Sequence, residues 1–295
     1  MKREKLSFKD RLIYHFLVIL GYTLAYTPRF IKFGLADIIT FLLYHVVKYR
    51  RAVVRKNLTL SFPEKSKKEI IKIEKDYYKH LGDLFVDSLA MVGASEKTMK
   101  KHFTYDDDEF QEFIKTSPAI CAMSHYGSWE YTVGYPLRVE NMVCPVYRPL
   151  HGKASDEFYL KMRSRFGGNP CMMSAVVKRI IRNKGNNVVM AMLADQTPIR
   201  NNEHRWYTFL NQDTQFFIGI GELAKHFKMG VFFLEITKVK RGYYHAKMVR
   251  IYDGMEDINY ETIIERYINK LEAMIKREPH LWTWSHKRWK HKKLF

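Results

Sequence analysis

Residues 119–130, AICAMSHYGSWE, place an apolar run, a histidine, a glycine and a glutamate in that order. The run 119–123 reads as a buried parallel strand, and the residues after Gly127 read as the start of a helix. Two side chains five apart on one helix point about 140° away from each other at about 100° per residue. His125 and Glu130 therefore meet only if His125 lies in the strand-to-helix turn and Glu130 on the first turns of the helix. There the carboxylate fixes the imidazole tautomer and the other ring nitrogen faces outward as a general base, suited to deprotonating a hydroxyl or amine. The plainer alternative is a histidine capping a strand end and a glutamate supporting a helix N-terminus.

Outward from this stretch, strands and helices alternate. Strands are expected over residues 142–147, 188–194, 231–237 and 244–251, and helices over 153–166, 175–184, 219–228 and 257–276. Such alternation predicts an α/β fold: a mostly parallel central sheet flanked by helices on both faces, with chemistry gathered at the carboxyl ends of the strands. The polar residues follow that rule. His125 follows the first core strand, Tyr147-Arg148-Pro149 closes the second, and Asp195-Gln196 closes the strand ending at Ala194. Singly, Arg148 reads as a solvated loop charge and Asp195 as a turn residue. Jointly they put a base, a cation and a carboxylate on one sheet edge.

The 295 residues carry a formal net charge of +19, which calls for an anionic partner: nucleic acid, anionic lipid headgroups or an acidic protein. No nucleic-acid-binding module is recognisable, and that reading leaves the ordered polar strand ends unexplained. Cys121, Cys144 and Cys171 lack metal-type spacing, and no His-Glu-x-x-His pattern is present, so neither a metal nor another cofactor is implied. Ser128 and Cys121 are the possible nucleophiles, but Ser128 lacks the Gly-x-Ser-x-Gly elbow and Cys121 falls inside the strand, which favours direct attack over a covalent intermediate. Amides at the start of the helix after Gly127 are candidate oxyanion donors.

Apolar runs at residues 12–26 and 38–47 lie between basic clusters, Lys2, Arg3 and Lys5 before and Lys48, Arg50, Arg51, Arg55 and Lys56 after. Each run is short of the roughly 20 residues of a clean span, so the expectation is a pair of helices lying in or shallowly entering a membrane from its cytoplasmic side. A pair of helices buried in a soluble core is the alternative. Residues 1–57 are accordingly read as a membrane-associating helical segment and 58–295 as the α/β domain. Ser66-Lys67-Lys68-Glu69 is a capping box opening a long amphipathic helix to about residue 91. The basic run 287–293, with Trp289, reads either as an interfacial anchor or as a solvated tail behind core-packed Trp282 and Trp284.

These blocks, in this order, resemble the lysophospholipid acyltransferase superfamily and, within it, the late acyltransferases of lipid A biosynthesis. His125-x4-Glu130 is similar to that family's signature, with Ser128 where asparagine is common. RAVVRKNLTLSFPE at residues 51–64, CPVYRP at 144–149, LADQ at 193–196, the glycine-led helix and strand within 216–235, and LWTWSHKRWK at 281–290 resemble its further blocks, so the likeness runs nearly end to end. The polar segment 197–212 departs from it. The resemblance implies a glycerol-3-phosphate acyltransferase-like fold and transfer of a fatty acyl chain from an acyl-carrier-protein thioester to a lipid hydroxyl. The acceptor implied is a lipid A precursor, with a lysophospholipid, an amino-acid lipid or a glycolipid as alternatives. It implies His125 as base, Glu130 as its orienter, and Arg148, Asp195, Gly127, Ser128 and Tyr147 as supporting residues. The expected partners are acyl carrier protein, the lipid acceptor and the cytoplasmic face of the inner membrane, without nucleic acid.

Overall fold

The computed structural model describes residues 6–198 and 204–291. The chain opens with α1 (Phe8–Tyr26) and α2 (Arg29–Phe41), which runs on through a π-helical turn, Leu42–Val46; α3 (Arg51–Ser61) and α4 (Lys67–Ala90) follow. Ser66 and Glu69 form the expected capping box at the start of α4. Next come α5 (Glu96–His102), β1 (Phe103–Asp106), α6 (Asp108–Thr116) and β2 (Ala119–Met123). A 3-10 helix, Trp129–Arg138, then leads to β3 (Val143–Tyr147), α7 (Lys153–Ser164), β4 (Cys171–Met172), α8 (Val176–Arg182) and β5 (Val189–Leu193). The hairpin β6 (His204–Phe209) and β7 (Gln212–Phe217), α9 (Gly219–Phe227), β8 (Gly230–Lys240), β9 (Tyr243–Tyr252) and α10 (Tyr260–Arg277) complete the order.

The expected central sheet has seven strands in the order β1-β9-β8-β2-β5-β3-β4. Every neighbouring pair is parallel except β8 with β9, which form an antiparallel hairpin. Both faces are covered, which is why β2 is buried at every position and its sequence is apolar throughout rather than alternating. Successive residues of β8 show the two faces. Phe232 meets Phe110 and Phe113 of α6, while Phe233 meets Tyr267 of α10 on the opposite side.

The helix expected after Gly127 is a 3-10 helix, with Pro136 inside it. The hairpin of residues 204–217 falls largely in the polar segment that departs from the family pattern; within that segment, residues 199–203 lie outside those described.

At the N-terminus, α1 packs on α4 and α7, and α2 on α4. Gly82 lets α2 and α4 approach closely, because a Cβ there would stand 2.5 Å from the Ala36 carbonyl oxygen. Arg241 of the β8–β9 turn binds Asp37 on α2 and Asp83 on α4, both at 2.6 Å. The outward side of α1 and α2 is apolar: Phe8, Leu12, Phe16 and Ile19 recur at helical spacing and are all exposed, as are Phe30, Ile38 and Phe41. No single described helix is long and apolar enough to cross a membrane; α2 with its π turn and α3 together pass that test but are bent by 88°.

The basic collar after this pair is partly turned inward. Arg51 and Arg55 both bind the fully buried Glu74, and Arg50 donates to the Ser285 carbonyl. Lys48 and Lys56 remain exposed, and Lys2, Arg3 and Lys5 lie outside the described residues. In the C-terminal block Trp282 and Trp284 are buried in the core, and Arg288 is buried as well. Lys292 and Lys293 are again outside the described residues.

Candidate active site

The site follows from strand register. β2 and β5 are parallel neighbours with Met123 opposite Leu193. Two residues further on, each chain carries a polar side chain, His125 on one and Asp195 on the other. His125 Nδ1 donates to Asp195 Oδ1 at 2.7 Å, and the His125 amide donates to Oδ2 at 3.0 Å. The Trp282 indole donates to the same Oδ2 at 2.8 Å. Burial pushes the Asp195 carboxyl up, but the neighbouring His125 and the hydrogen bonds from His125 and Trp282 outweigh it and hold the group below the usual carboxylate range. An ionised Asp195 fixes the proton of a neutral imidazole on Nδ1 and leaves Nε2 with its lone pair.

This pairing corrects the orienting role expected of Glu130. In the 3-10 helix the Glu130 carboxylate binds Arg163 of α7, Nη2 to Oε1 at 3.2 Å, and His125 meets the preceding Trp129 edge-on at 5.0 Å. Glu130 still lines the same cavity as His125, as do Arg163, Arg148 and Tyr147. Arg148 is at the exposed rim, where its Nε donates to Met173 Sδ at 3.2 Å.

Gly127 has φ +57°, in the left-handed region, and a Cβ there would stand 3.0 Å from Ile236 Cγ2. Glycine thus permits the turn that carries the chain past β8. The amides of the turn are engaged: His125 with Asp195, Tyr126 with the Ser124 carbonyl, and Gly127 with the Leu281 carbonyl at 2.9 Å. These three amides are thus occupied; the candidate oxyanion donors are the amides at the start of the 3-10 helix, after Gly127, and the cations Arg148 and Arg163 that line the cavity. Ser128 is buried, and its Oγ has no hydrogen-bond partner among the described residues, so it is not activated by His125. Cys121 is a buried thiol pushed up to about 12 by desolvation, far from a reactive thiolate. Among the described residues no three His, Cys, Asp or Glu side chains converge to hold a metal.

The C-terminal block belongs to the site. Thr283 donates to the His125 carbonyl through its amide at 3.2 Å and its hydroxyl at 2.9 Å, and Tyr126 forms an antiparallel bridge with Trp282. Behind the site, the Tyr267 hydroxyl donates to the Met123 carbonyl at 2.9 Å. Sequence reasoning placed Trp282 and Thr283 in a named block without their roles at the site, and missed Arg163.

From His125 a cavity of about 300 Å³ runs beneath the 3-10 helix. Its floor is built by period-two positions of adjacent strands: Val189, Ala191 and Leu193 of β5, Val143, Pro145 and Tyr147 of β3, and Cys121 and Met123 of β2. It follows the five residues of β5, roughly 16 Å at a strand rise of about 3.3 Å per residue. A base and its carboxylate at the mouth of a long apolar slot suit transfer chemistry on a lipid-like chain.

Compared with protein families, the chain matches the bacterial lipid A biosynthesis acyltransferases over residues 1–291. The chain belongs to this family. It is an acyltransferase of lipid A biosynthesis, in keeping with the resemblance carried by its sequence blocks. A search of curated proteins finds no match to it. In this acyltransferase the His-x4-Glu block supplies the imidazole and one wall of the cavity, and the block around Asp195 supplies the carboxylate.

Proposed function

We propose that this acyltransferase moves a fatty acyl group from an acyl-carrier-protein thioester to a hydroxyl of a lipid A precursor by direct attack. The observation that carries this reading is the His125–Asp195 pair at the mouth of the apolar cavity. His125 Nε2 removes the acceptor proton as the hydroxyl oxygen bonds to the thioester carbonyl carbon. The tetrahedral oxyanion collapses, the carbon–sulfur bond breaks, and the imidazolium returns its proton to the departing thiolate. Asp195 remains ionised and stabilises the imidazolium. Arg148 at the rim suits either the oxyanion or a phosphate of donor or acceptor. The acyl chain occupies the slot beneath the 3-10 helix.

The apolar outer side of α1 and α2 supports attachment at the cytoplasmic face of the inner membrane, with residues 1–57 as the attaching segment. The net charge of +19 suits an acidic carrier protein and anionic lipid. The test is acyl transfer by the purified full-length protein in detergent, with acyl-carrier-protein thioester and a lipid A precursor. His125→Ala is expected to lower the rate about 10²- to 10⁴-fold. An undiminished rate, or a trapped covalent acyl-enzyme, would overturn the mechanism; efficient transfer to other acceptors alone would overturn the acceptor.

A further inference from the structure

A second cavity, of about 270 Å³, adjoins the first on the β1 side of the sheet and reaches the surface at Lys100 and Thr104. Its walls include Met99, Phe103, Tyr131, Gly134 and Arg138, and it shares a single described residue with the active-site cavity, Tyr105. Tyr105 belongs to β1, at the edge of the sheet, and its ring stands between the two spaces.

That ring is held from several sides. Tyr135 meets it edge-on at 5.1 Å, Phe103 lies 5.0 Å away, and the Arg138 guanidinium covers it at 5.2 Å. Tyr135 and Arg138 are themselves fixed by one buried carboxylate. Asp107 accepts the Tyr135 hydroxyl at 2.9 Å and Arg138 at 2.6 and 3.2 Å. The partition is thus a braced wall rather than a loose side chain. The Tyr105 hydroxyl is buried without a hydrogen-bond partner among the described residues, so no polar bond there accounts for a tyrosine, and the ring's bulk is what the position uses.

We infer that Tyr105 is the stop against which the tip of the acyl chain rests, so that this one ring sets the longest chain the acyltransferase accepts. The inference rests on the reading that the slot holds the acyl group. A chain that fits between His125 and Tyr105 buries every methylene, whereas a longer one must leave carbons in water at the mouth or displace the ring. Two methylenes gained or lost are worth on the order of tenfold in kcat/KM.

The test uses the full-length protein in neutral detergent, acyl-carrier-protein thioesters of increasing even chain length, a lipid A precursor, and mass spectrometry of the product. The wild type is expected to show a sharp upper length limit. Tyr105→Ala, which joins the two cavities, is expected to raise kcat/KM about tenfold or more for thioesters just beyond that limit. Tyr105→Leu makes the same test if the alanine variant does not fold. Tyr105→Trp is expected to shorten the limit, and Tyr105→Phe, which keeps the ring, to leave the limit in place. Ala191→Leu narrows the middle of the slot and is expected to shorten the limit independently of Tyr105. If Ala191→Leu shifts the limit while the alanine, leucine and tryptophan variants at Tyr105 do not, the stop is elsewhere and the inference fails with the proposed function intact. If neither position affects chain length, the slot does not hold the acyl chain and that part of the functional reading fails with it.

Discussion

In an Asp195→Asn variant, the three hydrogen bonds accepted by the carboxylate cannot all be kept. Oδ2 takes the His125 amide at 3.0 Å and the Trp282 indole at 2.8 Å, while Oδ1 takes His125 Nδ1 at 2.7 Å. If the amide oxygen of asparagine replaces Oδ2, its NH2 faces Nδ1, and the imidazole must move its proton to Nε2, where the lone pair is needed. If the oxygen replaces Oδ1, the NH2 opposes two donors. Each buried donor left unpaired costs about 1–3 kcal/mol, so the first orientation, with the wrong tautomer, wins by roughly twice that amount. The base is then lost, and a fall in kcat of about 10³- to 10⁴-fold is expected, the scale seen when the same substitution inverts a serine protease histidine. KM should change little, because Asp195 is 1% exposed and lies behind the ring. Glu130→Gln, whose partner is Arg163, should cost about tenfold or less, short of the range for losing a general base. The assay is steady-state acyl transfer in detergent, with circular dichroism to check the fold. An Asp195→Asn enzyme retaining about a tenth of wild-type kcat, or a Glu130→Gln enzyme damaged as severely, would return the orienting role to Glu130.

Other outcomes follow from the same structure. Burial, with Lys238 and His280 nearby, pushes His80 down to about 3, and burial pushes His102 and His286 down to about 4. The unfolded chain takes up these protons near pH 6.5, so their contribution to stability is complete above about 6.5 and is lost as pH falls towards 4 and below. Asp87, pushed up to about 6 by burial, gains its proton on folding and partly offsets the loss. Thermal midpoints should drop between about pH 6.5 and 4, and His80→Leu should flatten the slope; an unchanged slope would remove His80 from the account. Phe16 and Ile19 are 64% and 67% exposed. Replacing both with aspartate should weaken flotation with anionic vesicles on the order of a hundredfold or more, since each such side chain is worth about 1.5–3 kcal/mol when withdrawn from water; unaltered flotation would argue against this face. In neutral micelles, KM for the carrier-bound thioester should rise as salt shortens the Debye length from about 10 Å at 0.1 M to 3 Å at 1 M, with kcat less affected. A KM indifferent to salt would leave the basic surface to the membrane.

The parallel sheet and its functional edge were legible because the strands are short apolar runs and the polar residues come directly after them. His125, Arg148 and Asp195 were placed together on that logic, and all three line or support one cavity. Which carboxylate serves His125 was not legible, because spacing along the chain favours near neighbours while register across the sheet decides the contact. The choice also assumed an α-helix after Gly127, and the 3-10 winding sends Glu130 to Arg163 instead. The hairpin at residues 204–217 escaped notice because its turn is Leu210-Asn211, both at positive φ. Leucine in that conformation is not the Asn-Gly signal by which such turns are recognised. Arg163 and Tyr105 carry no local mark, since each matters only for what the fold places beside it.

The joining of the C-terminal block to the catalytic turn has a consequence for how activity arises as the chain folds. Thr283 and His125 are 158 residues apart, and Trp282 and Asp195 are 87 apart. Contacts of such long sequence separation carry a large loop-closure cost and depend on the sheet already being in place. A half-folded chain thus exposes an imidazole whose carboxylate partner is not yet clamped. The base acquires its fixed tautomer, and with it full activity, only once the C-terminal block has docked.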